Sequence, residues 1–68
     1  MQLDLHGVRH YEVDRLVENF IYLNQDAVPL TIICGNSGRM LDLVKQVTNR
    51  IGCEIFEPRF GVVYIQKV

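Results

Sequence analysis

The sequence predicts an α/β domain of two layers (an α+β arrangement), a four-stranded mixed sheet with two helices on one face. Two observations predict it. The spacing of apolar residues switches between the strand period of two and the helix period of 3.6, in the order β-α-β-α-β-β. Glycines also stand where each of the first two strands gives way to a helix, at Gly7 and at Gly35 with Gly38. Strand–helix–strand units favour parallel pairing through right-handed crossovers. The 68 residues make one domain over 1–68.

Each element follows from its residues. Gln2 to Leu5 alternates polar and apolar positions, so Leu3 and Leu5 face the core and His6-Gly7 ends the strand. A helix is expected from Tyr11 to Gln25, with Val13, Leu16, Val17, Phe20 and Ile21 on one stripe. Glu12 and Asp14 lie in its expected first turn, where negative charge suits the helix dipole. Asp26 to Pro29 breaks it. Leu30 to Cys34 is a nearly continuous apolar run rich in β-branched residues and reads as a buried central strand.

Gly35-Asn36-Ser37-Gly38 is a loop in which Asn36 or Ser37 caps the second helix, expected from Arg39 to Ile51. Its core stripe is Met40, Leu43, Val44, Val47 and Ile51, and Gly52 stops it. A strand from Cys53 to Glu57, a turn through Pro58 to Gly61 and a strand from Val62 to Gln66 complete the chain. This last pair is either a hairpin or two neighbours joined by a tight bend. Two helices leave one sheet face without cover, and Thr31, Ile33, Phe56 and Tyr64 are the candidates for it. Such a face can stack bases or bury itself against a second copy as a homodimer. Ile33 is the one of the four that reads as core.

Composition narrows the classes. Hydrophobic content of 49% with 22% charge is that of a globular domain and argues against disorder. No stretch approaches the roughly 20 apolar residues that cross a bilayer. Met1-Gln2-Leu3-Asp4 lacks the basic and apolar regions of a signal peptide, so a soluble cytoplasmic protein without a membrane partner is expected. A chain this short buries only about 60% of its unfolded surface, so packing, a partner chain or a larger assembly must support it. Cys34 and Cys53 are too few for a zinc site and lack its spacing; they read as small apolar side chains near strand ends, with a disulfide left open. The net charge of −1 means that any nucleic-acid surface has to be local and small.

Polar chemistry gathers in two loops. Ligands of α/β sheets collect outside the carboxyl ends of parallel strands. If the first two strands are neighbours, Asp4, His6, Arg9, His10, Asn36, Ser37 and Arg39 surround one notch. The free N–H groups where the second helix opens suit a phosphate, and Gly7, Gly35 and Gly38 let the backbone come close to it.

Leu3-Asp4-Leu5-His6-Gly7 resembles the LDLHG motif that opens Smr (small MutS-related) domains. Ile32-Ile33-Cys34-Gly35-Asn36-Ser37 sits where that family has a second motif, TGxG or HGxG after a strand, and Gly61 to Ile65 resembles its closing glycine and strand. The resemblance covers nearly the whole chain, as a stand-alone short form. Cys34 stands where the family has Thr or His, Ser37 or Gly38 takes the place of the second glycine, and a further histidine of the loop is missing. The resemblance implies a fold similar to the C-terminal domain of a bacterial translation initiation factor. It also implies action on nucleic acid: DNA nicking, RNA cleavage, or binding of nucleic acid or ribosomes. The implied functional groups are Asp4, His6 and the glycine loop from Gly35.

The residue chemistry can be set beside this. His6 can move a proton as a general acid or base, or merely stabilise its turn. Asp4, two positions earlier, points to the same face and can orient His6, or is a solvent-facing strand residue. Together they offer a divalent cation two ligands, too few to claim one, so no cofactor is expected and a cation is left open. Arg9 and Arg39 can neutralise phosphate charge or are solvated surface groups. His10 is a cap or a phosphate contact. Asn36 and Ser37 are caps that can also line a site. Arg59 and Phe60 can grip a nucleotide by charge and stacking, or are plain surface. The expected function is a small endonuclease acting by acid–base chemistry on a phosphodiester, more easily on RNA, which supplies its own 2′-hydroxyl. The alternatives are a non-catalytic nucleic-acid- or ribosome-binding module and a dimerising interaction domain.

Overall fold

The alternating N-terminal segment forms strand β1 (Gln2–Asp4), and the apolar run beginning at Leu30 forms β2 (Leu30–Ile33). The two pair in parallel, with Leu3 opposite Ile32. In this computed structural model, which describes residues Met1 to Val68, they are joined by helix α1 (His10–Leu23) and a 3₁₀ turn over Gln25–Ala27. Helix α2 (Gly38–Ile51) follows, then strands β3 (Glu54–Arg59) and β4 (Val62–Lys67). β4 lies antiparallel between β2 and β3, so the sheet order is β1-β2-β4-β3. The expected four-stranded mixed sheet with two helices is present. No helix is long and apolar enough to cross a membrane.

Several boundaries move for identifiable reasons. α1 starts at His10, so Glu12 stays in the first turn and Asp14 falls outside it. Its expected last turn tightens into the 3₁₀ segment before Pro29. The expected four-residue turn through Pro58 shrinks to Phe60-Gly61, because Pro58 and Arg59 belong to β3. A proline fits there because β3 is an edge strand and its register shifts between Phe56 and Arg59. The open question about the last two strands resolves as a hairpin.

The core comes from one side of the sheet. Leu30 and Ile32 of β2 and Val63 and Ile65 of β4 are fully buried with Leu5, Val13, Val17 and Ile21, and with Met40, Leu41, Val44 and Val47. The strand members alternate, so both helices cover the same face. Leu16, Phe20, Leu43 and Ile51, expected in the core, are only half-buried. Leu41 and Thr48 are buried instead, because α2 packs against α1 as well as the sheet and so needs a wider apolar stripe. Thr48 satisfies its hydroxyl by donating to the Lys45 carbonyl at 3.1 Å.

Ile33 corrects an expectation. Ile32 takes the inward position, so the period of two sends Ile33 to the uncovered face, opposite Val62. Thr31 sits beside Tyr64 and Tyr64 beside Phe56 on that same face, so the three form a cross-strand row.

Arg50 ties the two helices together on the surface. It donates to both carboxylate oxygens of Asp14 at 2.9 Å and to Glu18 at 2.7 Å. The Arg50 guanidinium holds the Asp14 carboxyl below its ordinary value of 3.8. The folded carboxylate therefore binds its proton less tightly than the unfolded one. The pair adds stability above pH 3.8, and that contribution fades as pH falls through the depressed folded value. In thermal unfolding from about pH 6 down to about pH 2, the stability gap between wild type and Asp14→Asn is expected to be flat at first and to close at the acid end.

Candidate nucleic-acid site

The parallel pairing of β1 and β2 ends both strands at one rim of the sheet. The ladder continues past the strands, with the Leu5 amide donating to the Ile33 carbonyl at 2.9 Å. His6 to Arg9 therefore leaves the sheet beside Cys34 to Ser37, and the two distant loops meet. A third segment joins them. The Cys34 amide donates to the Gly61 carbonyl at 2.6 Å, which locks the β3–β4 turn onto the loop after β2. Gly61 is buried, its φ is 86°, and a Cβ built on it would stand 2.0 Å from the Gly35 carbonyl oxygen. Only glycine allows this approach.

Around the rim the polar groups divide into engaged and free. The Asp4 carboxylate accepts the backbone amide of His6 at 2.9 Å, so it shapes the turn itself. The His6 side chain is exposed and makes no hydrogen bond within the molecule. Gly7 turns the chain with φ 79°. Arg9 is the N-cap of α1 and His10 its first residue; both are exposed, and no side chain caps that helix.

The loop after β2 is different. Ser37 caps α2, its hydroxyl accepting the Met40 amide at 3.1 Å, which settles the choice between Asn36 and Ser37. The backbone amides of Gly35, Asn36, Ser37, Gly38 and Arg39 meet no acceptor anywhere in the chain. Four of these residues are exposed, with Ser37 half-buried. A run of unpaired amides at a helix start is an anion-binding device, because each N–H carries partial positive charge and the helix dipole adds to it. Gly35 (φ 72°) and Gly38 leave open space where a Cβ would stand.

Charge is sorted over the molecule although the net value is only −1. Arg9, Arg39 and Arg59, with His6 and His10, belong to segments at this end of the sheet. Asp14 and Glu18 are paired with Arg50 along the helices, and Glu57 with Lys45 between α2 and β3. Asp4 and the first-turn Glu12 of α1 stand at the same end, so the arginines leave the rim only a small excess of positive charge.

The cysteines take no part. Both are free. Cys34 lies in the core, where burial, helped by the charge of Glu57, pushes its thiol up to about 11. Burial also raises Cys53. Neither is a thiolate near neutral pH, which removes them as nucleophiles. No three of the His, Cys, Asp and Glu side chains come together as a ligand set for a metal.

The surface concavity lies elsewhere, an open groove of about 620 Å³ between α2 and β3 lined by Asp42, Lys45, Asn49, Cys53 and Glu57 among others. Of its charged groups Lys45 and Glu57 are spent on each other, and the one left over, Asp42, is an acid that does not suit a phosphate. The rim, whose donors are unspent, is the better candidate despite its shallowness. The structure brings together the segments of Asp4, His6, Arg9, His10, Asn36, Ser37 and Arg39, the residues expected around one notch. The contribution of Gly61 was not visible, because it depends on an approach to Gly35 across 26 residues of sequence. No family model, curated protein or solved structure matches the chain.

Proposed function

We propose that this rim binds the phosphodiester backbone of a nucleic acid, and that the chain is an Smr-type domain in which His6 cleaves the bound strand. The observation that carries the reading is the run of unpaired amides from Gly35 to Arg39 beside the loop that holds His6. A phosphate held there has Arg9 and Arg39 within the flanking segments to offset its charge. The exposed imidazole of His6 takes the proton of an RNA 2′-hydroxyl. That oxygen attacks the adjacent phosphorus, and the 5′-oxygen of the next nucleotide leaves with a proton from water or from a second acid.

Non-catalytic binding of nucleic acid, free or in a ribosome, is the second reading. The engagement of Asp4 with the His6 amide favours it, because that carboxylate is not held against the imidazole. Binding and cleavage of RNA and supercoiled DNA, each with and without chelator, separate the two. Under either reading the double variant Arg9→Ala with Arg39→Ala is expected to weaken binding by 10- to 100-fold and to reduce the salt slope by roughly 1.5, as two lost phosphate contacts require. An unchanged slope would remove the rim as the binding surface.

A further inference from the structure

We propose that the uncovered sheet face is a stacking platform for the bases of a single strand whose phosphates lie at the rim, an inference that rests on the nucleic-acid reading above. The helices bury the opposite face; on this one Tyr64 and Phe56 are exposed and Thr31 and Ile33 half-buried, whereas Val62, at its rim end, is buried and offers no contact surface. Two aromatic rings stand out on it. Phe56 is 53% exposed and Tyr64 37%, and their centroids are 6.4 Å apart at a 47° tilt. The rings are close enough to act as an aromatic pair, and their exposure leaves each with surface for a partner ring.

Placement connects this pair to the rim. Tyr64 precedes no turn of its own; it lies two residues after Val62, where β4 leaves the Phe60-Gly61 turn that locks onto Gly35. Arg59 is opposite Val62, one row nearer the rim than Phe56. Phe60, 59% exposed, sits at the turn itself. A strand held by the Gly35–Arg39 amides and running over this half of the sheet meets a cation, then aromatic surface, as single-strand binders require. The β1 side of the face carries Asp4, which repels phosphate and directs the strand toward β4 and β3. The platform suits unpaired bases only, because a duplex keeps its base faces stacked inside.

The test is fluorescence anisotropy with single-stranded RNA, single-stranded DNA and duplex oligonucleotides of equal length, together with sedimentation of the free protein. Tyr64→Leu and Phe56→Leu keep apolar area and lose the rings. Each is expected to weaken both single strands by roughly tenfold and the duplex by less than twofold, with the salt slope unchanged. Tyr64→Phe is expected to bind as wild type does. Unchanged single-strand affinity in both leucine variants, while Arg9→Ala with Arg39→Ala still weakens binding, overturns the platform and spares the rim. Insensitivity to the arginine substitutions overturns both. A dimer that the leucine variants dissociate would show that a second copy covers this face, and would also overturn the platform.

Discussion

Gly61→Ala is expected to cost on the order of 3–5 kcal/mol, the size reserved for a change the backbone cannot absorb. Two effects add. The residue holds φ 86°, a left-handed conformation that costs a non-glycine residue about 1–2 kcal/mol. The new Cβ would also lie 2.0 Å from the Gly35 carbonyl oxygen, which is backbone and cannot rotate away. Relief requires the β3–β4 turn to lift from the loop after β2, losing the bond from the Cys34 amide to the Gly61 carbonyl, worth about 1 kcal/mol. A domain of 68 residues has a total stability of roughly 3–10 kcal/mol, so the variant sits near its unfolding limit. The expected fall in Tm is on the order of 20 °C. Gly7→Ala is the control. It shares the positive φ but has no atom within 4 Å of the new Cβ, so it is expected to cost only about 1–2 kcal/mol. Equal losses in thermal unfolding of the two variants would mean that the approach of Gly61 to Gly35 is not a constraint.

His6→Ala is expected to leave stability and binding nearly intact and to reduce strand cleavage by roughly 10²- to 10⁴-fold, the usual share of a positioned acid or base. The His6 side chain is exposed and has no partner, so its removal belongs with surface changes of about 0.5 kcal/mol or less. The bond that shapes the turn comes from the backbone amide to Asp4 and survives the substitution. Asp4→Ala acts differently. It removes the acceptor of that amide, so it is expected to loosen the turn and to lower binding and cleavage together. Single-turnover cleavage at saturating RNA, with binding measured in parallel, distinguishes the two. A His6→Ala rate equal to wild type would leave a phosphate-binding rim without this catalyst.

Periodicity made most of the fold legible. The stripe of Val13, Val17 and Ile21, the β-branched run at Leu30 and the glycine junctions determine which elements form and which faces they bury. It failed where a position answers to two neighbours at once. Leu41 and Thr48 are buried because α2 meets both α1 and the sheet, a condition one helical stripe does not reveal. Ile33 is as apolar as Ile32, and only pairing register decides which one faces the helices. Pro58 read as turn, since the edge position and register shift that admit it are properties of the sheet.

The site was legible as a set of segments and not as a set of contacts. Parallel pairing of the first two strands is a topological expectation, and it suffices to bring His6 and Gly35 to one rim. Which groups remain free there is decided by local hydrogen bonds. Ser37 is spent on Met40 and Asp4 on the His6 amide, whereas the amides from Gly35 to Arg39 are spent on nothing.

Those amides are the centre of the account, and backbone NMR reads them directly. On titration with a single-stranded oligonucleotide at low salt, the resonances of Gly35 to Arg39 are expected to move first and furthest, with those of His6 to His10 and Gly61 following. Shifts confined to the groove between α2 and β3, at Lys45, Asn49 and Glu57, would place the ligand on the wrong side of the molecule and contradict the account.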